Sequence, residues 1–209
     1  MITSAFVITA FATLFVIIDP IALTPIFATL TQGIPTPERR RIALRACLVA
    51  FFILAAFSFF GEALMHFIGI SMPAFRVAGG ILLFLTALEM LFERRTKRRE
   101  DQANDEPDSS HDPSVFPLAV PLLAGPGAIA SVILLAGQAP GIAGTFAVIA
   151  IVAIVLFVVF LSLQASALLE RALGKTGINV ATRLLGMLLA ALAVQFVLDG
   201  LRAFGFAGA

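Results

Sequence analysis

Apolar residues along this chain form long, nearly unbroken runs, and polar residues collect in the short intervals between them. That pattern is neither the strict alternation of a half-buried strand nor the three-four spacing of a surface helix. A helix needs about 20 apolar residues to cross a hydrocarbon core about 30 Å thick. Six runs qualify, at about 5–31, 44–68, 74–92, 115–136, 144–169 and 184–204, and the fifth carries no charge from Gly144 to Leu169. The pattern predicts an all-α integral membrane protein with six transmembrane helices.

Composition agrees, because 60% of the 209 residues are hydrophobic and only 13% are charged, too few to cover a soluble domain. A net charge of +1 implies no nucleic acid partner. The 20 phenylalanines come with no tryptophan or tyrosine, so no aromatic belt marks the interfaces and orientation falls to Lys and Arg. Arg39, Arg40, Arg41 and Arg45 separate spans one and two. Arg94, Arg95, Lys97, Arg98 and Arg99 follow span three, and Arg171, Lys175 and Arg183 separate spans five and six. Only Arg76 and Arg202 of the 14 basic residues fall elsewhere, which predicts three cytoplasmic basic loops with the N- and C-termini outside. No basic residue precedes the first run, so no cleaved signal is expected. Cys47 is the single cysteine and lies in an apolar run, where packing is its expected role. Residues 94–114 begin basic, turn acidic and hold almost nothing to bury, as in a disordered cytoplasmic loop. The organisation expected is one three-helix repeat over 1–93, the loop over 94–114, and a second repeat over 115–209.

Three spans per half make the second repeat inverted, and two local matches agree. Arg76-Val-Ala-Gly79-Gly-Ile-Leu82-Leu-Phe-Leu85 shares Arg, Gly, Leu and Leu at equal spacing with Arg183-Leu-Leu-Gly186-Met-Leu-Leu189-Ala-Ala-Leu192, 107 residues on. Asp19-Pro20-Ile21-Ala22 is answered by Gly125-Pro126-Gly127-Ala128, 106 residues on.

The second match carries the chemistry. Aspartate followed by proline is the signature of a helix cap and first turn, yet Asp19-Pro20 stands in the middle of span one. Gly125-Pro126 gives the same signal in span four, with Pro121 as a further break. Helices one and four are therefore expected to be broken at mid-membrane. Backbone groups freed there need protein or cavity water, so both breaks should face inward. Two half-helix N-termini would converge, each worth roughly half a positive charge. Gly125 offers bare N–H groups suited to a carboxylate, and Asp19 offers a partner for an ammonium group. An ionisable residue at mid-bilayer costs at least ~2.5 kcal/mol, which favours a functional over a structural reading of Asp19. Thr24 and Ser131 stand one turn beyond the breaks, and Gln195 lies within span six; all three are candidate cavity residues. The candidate solute-binding set is thus Asp19, Pro20, Thr24, Gly125, Pro126, Gly127, Ala128, Ser131 and Gln195. No phosphate loop, metal cluster or nucleophile–base set is present in the pattern, so neither an enzyme nor a cofactor or metal site is expected.

Asp19-Pro-Ile-Ala-Leu-Thr-Pro-Ile-Phe27, Arg76-Val-Ala-Gly-Gly-Ile-Leu-Leu-Phe84, Phe116-Pro-Leu-Ala-Val-Pro-Leu-Leu-Ala-Gly-Pro-Gly-Ala-Ile129 and Gln195-Phe-Val-Leu-Asp-Gly200 carry a resemblance over nearly the whole chain. The chain resembles the MarC family of bacterial inner-membrane proteins. It departs from the family's Asp-Pro-Ile-Gly-Asn motif, with Ala22 and Leu23 in the last two places. The resemblance implies six spans in the bacterial inner membrane and, as for some members, transport of small neutral amino acids. The expected function is a secondary transporter of such amino acids or similar zwitterionic solutes, with an amino acid-like substrate and the lipid bilayer as partners. A coupling ion, H+ or Na+, and a homo-oligomer are both compatible with the pattern. The alternatives are a small-solute channel and a non-transporting membrane regulator.

Overall fold

A computed structural model describes residues 3–95, 97–99, 112–139 and 141–206. Six segments are long and apolar enough to cross a bilayer once the broken ones are each taken as one span. The described residues contain helices and no strands. Span one is α1 (Ser4–Ile18) followed by α2 (Pro20–Leu30). Spans two and three are α3 (Thr36–Ile68) and α4 (Met72–Leu91). Span four joins an irregular segment, Ser114–Leu123, to α5 (Pro126–Gln138) with a bend of 56°. Spans five and six are α6 (Gly141–Gln164) and α7 (Ser166–Ala203).

Local chemistry sets these boundaries. Thr3 Oγ1 accepts from the Phe6 amide at 3.2 Å and Ser71 Oγ from the Ala74 amide at 3.3 Å, capping α1 and α4. Gly69, at φ 83°, ends α3 in the left-handed region where a side chain would be strained. At 33 residues α3 is about 50 Å long, well beyond the bilayer core, so its basic first turns continue the helix instead of forming a loop. The same holds for α7, which takes in Arg171, Lys175 and Arg183 and breaks only at Gly174.

The first half of span four differs from a half-helix. Phe116 and Val120 are extended, at φ −126°, ψ 132° and φ −128°, ψ 121°. Pro117 and Pro121 each lack the N–H of a helical ladder and stand four residues apart. An α-helix there would lose a bond on two successive turns of one face, so the chain winds irregularly.

The two broken spans form the interior. In the most apolar 18 residues of span one 56% are buried, against 28% in α4 and in α7. Every residue from Ala130 to Ala136 on α5 is buried as well. The other helices surround them and turn residues such as Ile81, Leu184 and Met187 outward, as lipid-facing positions require. The closest pairing is α4 with α7, which run antiparallel. A Cβ on Gly80 would sit 2.9 Å from the Ala193 carbonyl oxygen, and one on Gly200 would sit 3.0 Å from that of Pro73. Glycines thus let the two backbones touch, the usual device where lipid gives no hydrophobic drive for association.

Polar ties gather the basic segments at one end of the bundle. Arg45 pairs with Asp112, Arg183 with Glu93 at 2.7 Å, and Arg39 donates to Ser166 Oγ at 3.4 Å. Of the expected disordered loop at 94–114, residue 96 and residues 100–111, His111 included, lie outside the described residues. Its basic beginning is solvated only in part, with Arg94, Lys97 and Arg98 exposed. Residues 94–95 and 97–99 are helical, and Arg95 and Arg99 are buried.

Candidate functional site

The site begins at the first break. Asp19 stands at φ 57°, ψ 71°, a left-handed conformation that Asp and Asn tolerate better than most residues. It closes α1 through its amide, which donates to Phe15 O at 2.9 Å. It also caps α2, because its Oδ1 accepts from the Ala22 amide at 3.3 Å, with Pro20 in the first turn. Pro25 cannot donate to Ile21 O, and the Thr24 hydroxyl takes that carbonyl at 2.8 Å.

A helix end leaves its last carbonyls unpaired and carries partial negative charge. Two arginines answer it. Arg95 donates to Ile17 O, and Arg99 Nη2 donates to Ile18 O at 3.2 Å. Asp19 is fully buried, and its charge is among those acting on both guanidinium groups. The carboxylate therefore adds negative charge where the carbonyls already favour a cation. Burying two guanidinium groups would be costly without these partners.

The second break lies against the first. A Cβ on Gly127 would come within 2.8 Å of Ile17 Cδ1, and one on Gly125 within 2.5 Å of Pro121 O. At Gly125 the chain folds back against its own backbone and needs glycine, whereas at Gly127 only the flexible end of Ile17 would have to give. No side chain caps α5, so the amides of its first turn remain on offer. Gly125, Pro126, Gly127 and Ala128 line a cavity of about 460 Å³. Its other walls are Leu82, Leu85, Thr86 and Glu89 on α4, together with Arg95, Arg98 and Arg99. Arg98 Nη1 bonds Glu89 Oε1 at 2.7 Å. Glu89 Oε2 and Arg99 Nη1 are buried with no hydrogen-bond partner among the described residues.

The structure thus brings the two breaks together but divides the residues expected at the site. The four of the second break face the cavity. Asp19, Pro20 and Thr24 are buried behind it, and Ser131 is buried with its hydroxyl on Gly127 O at 2.8 Å. Gln195 is apart from them, exposed on α7 and donating to Asp199 Oδ1 at 2.8 Å. The charged wall was not among the expected site residues. Its signal was the i, i+4 spacing of Arg95 and Arg99, which puts both guanidinium groups on one helical face.

A multi-pass membrane protein whose two interior spans break beside one polar cavity is the class that fold and site define. The chain belongs to the MarC family: residues 4–204 match the family described as MarC family integral membrane protein. Similar proteins include a UPF0056 membrane protein of Aquifex aeolicus, 41% identical over 194 residues, covering 92% of this chain and 91% of that one. The UPF0056 membrane protein YvbG of Bacillus subtilis is 40% identical over 200 residues, 95% of each chain. The UPF0056 inner membrane protein YhgN of Escherichia coli K12 is 33% identical over 196 residues, covering 94% of this chain and 96% of that protein. No solved structure matches the chain.

Proposed function

We propose that this protein is a secondary transporter of small neutral amino acids or similar small zwitterionic solutes in the bacterial inner membrane. The observation that carries the reading is the uncapped start of α5, open to a cavity where two broken spans meet. Unsatisfied amides at a half-helix start, inside an otherwise apolar bundle, suit the carboxylate of a solute. Transport also needs two halves that move about the site. The antiparallel α4–α7 pair supports an inverted repeat: Gly80 meets Ala193 on α7, and Gly186 meets Ala87 and Met90 on α4. With the offset of 107, positions 193 and 86 are equivalent, so each helix presents glycine to nearly the same place on its partner. The basic end of the bundle would face the cytoplasm, with both termini outside. The inner-membrane placement follows the name of YhgN.

Thr86 lines the cavity and offers a test. In a Cys47→Ala background, Thr86→Cys should react with a small thiol reagent, and glycine or alanine should slow the reaction. A labelling rate that no small amino acid changes would refute the cavity as the solute site.

A further inference from the structure

Three arginines border the cavity, and two are occupied. Arg95 is spent on Ile17 O and Met90 Sδ, the latter at 3.1 Å, and Arg98 on Glu89. Arg99 differs. It is 5% exposed, one side of its guanidinium holds Ile18 O, and Nη1 has no partner among the described residues. A guanidinium offers five N–H donors in a fixed fork, and a buried donor left unmade is costly. The first turn of α5 presents a second set of unmade donors to the same cavity. Two independent sets of donors, one of them charged and buried, converge on one space.

The local charges limit what fits between them. Charges of both signs border the cavity, Arg95, Arg98 and Arg99 on one account and Glu89 on the other. A planar carboxylate matches the geometry of the unfilled guanidinium fork of Arg99. On the opposite account, Glu89 Oε2 is a buried acceptor without a donor, on the same cavity wall.

Building on the transporter reading, we propose that Arg99 and the first turn of α5 anchor the solute carboxylate and that Glu89 receives its ammonium group. The carboxylate is the obligatory part of the solute, and the ammonium group improves a fit already made. Asp19 does not touch the solute; it balances the guanidinium groups from behind.

The test uses the purified full chain in detergent, with binding of glycine, acetate and glycinamide followed by calorimetry. Glycine should bind, acetate more weakly, and glycinamide not at all. Arg99→Gln should weaken glycine about ten- to 150-fold, the effect of a lost charge-assisted hydrogen bond, and Arg99→Lys should fall between. The unmodified protein already discriminates among the three probes, so the result does not depend on the variants folding. Glycinamide binding as tightly as glycine, or a folded Arg99→Gln with the parent's glycine affinity, overturns the anchor and leaves the transporter reading standing. Acetate binding without glycine binding supports the anchor and refutes the zwitterion reading. No binding of any probe overturns both.

Discussion

Replacing Asp19 with asparagine separates the two roles that the structure assigns to this residue. Asparagine keeps an oxygen for the Ala22 amide, caps helices about as well as aspartate and tolerates a φ of 57°, so backbone and cap are preserved. What disappears is one negative charge facing two buried guanidinium groups. Unit charges 4 Å apart attract by about 4 kcal/mol at the effective dielectric of a protein. Neither Arg95 nor Arg99 makes a direct ion pair with Asp19, so each interaction is worth less than that, and the two together on the order of 3 kcal/mol. Asp19→Asn should therefore lose about 3 kcal/mol of stability. Asp19→Ala should lose a further ~1 kcal/mol for the cap and ~1–2 kcal/mol for the left-handed backbone. Reversible unfolding of the purified protein in mixed micelles reads these differences. The double variant Asp19→Asn with Arg99→Gln should cost less than the sum of its parts, because the second change removes a charge that the first leaves unbalanced. An Asp19→Asn protein within about 0.5 kcal/mol of the parent would refute the electrostatic role and leave only the cap.

Other consequences follow from the same geometry. Thr24→Val should leave Ile21 O without a donor and cost about 1–3 kcal/mol in unfolding assays, while solute affinity in calorimetry stays unchanged because Thr24 lies behind the cavity. Gly125→Ala should lower the melting temperature more than Gly127→Ala, because the first Cβ meets the backbone carbonyl of Pro121 and the second only the mobile end of Ile17. Two hydrogen bonds from Ser114, and then Arg45, hold the Asp112 carboxyl below the usual carboxylate range. A depressed folded value means that the unfolded chain takes the proton first. The contribution of Asp112 is thus complete above about pH 4 and lost as pH falls through the folded value. Asp112→Asn should flatten that acid limb of melting temperature against pH, by a small amount because the pair is solvent-exposed.

The spans were legible because continuous apolar runs have few other uses, and both breaks because proline and a capping aspartate are out of place inside a span. The irregular winding before Leu123 was half legible. Pro117 and Pro121 announce that the helical ladder fails, but not the path the chain takes instead. Arg95 and Arg99 were hidden by their company, since a run of five basic residues after a span reads as a topology signal. Their burial depends on carbonyls 78 and 81 residues earlier in the chain, a proximity that only the packed bundle creates. Gln195 could have been placed from its own helix. The seam that meets α4 runs through Gly186, Leu189, Ala193, Phe196 and Gly200, all buried. Two residues beyond Ala193 is about 200° around the helix, the outward face.

Counterflow in proteoliposomes tests the central claim most directly. Vesicles holding the purified protein and loaded with unlabelled glycine are diluted into a trace of labelled glycine. A carrier working around one cavity should draw label inside transiently above its external concentration, with saturable rates, and Arg99→Gln should suppress this overshoot. Equilibration of label without overshoot, at rates linear in glycine concentration, would contradict the account in favour of a pore, and no protein-dependent flux of any small amino acid would refute transport itself.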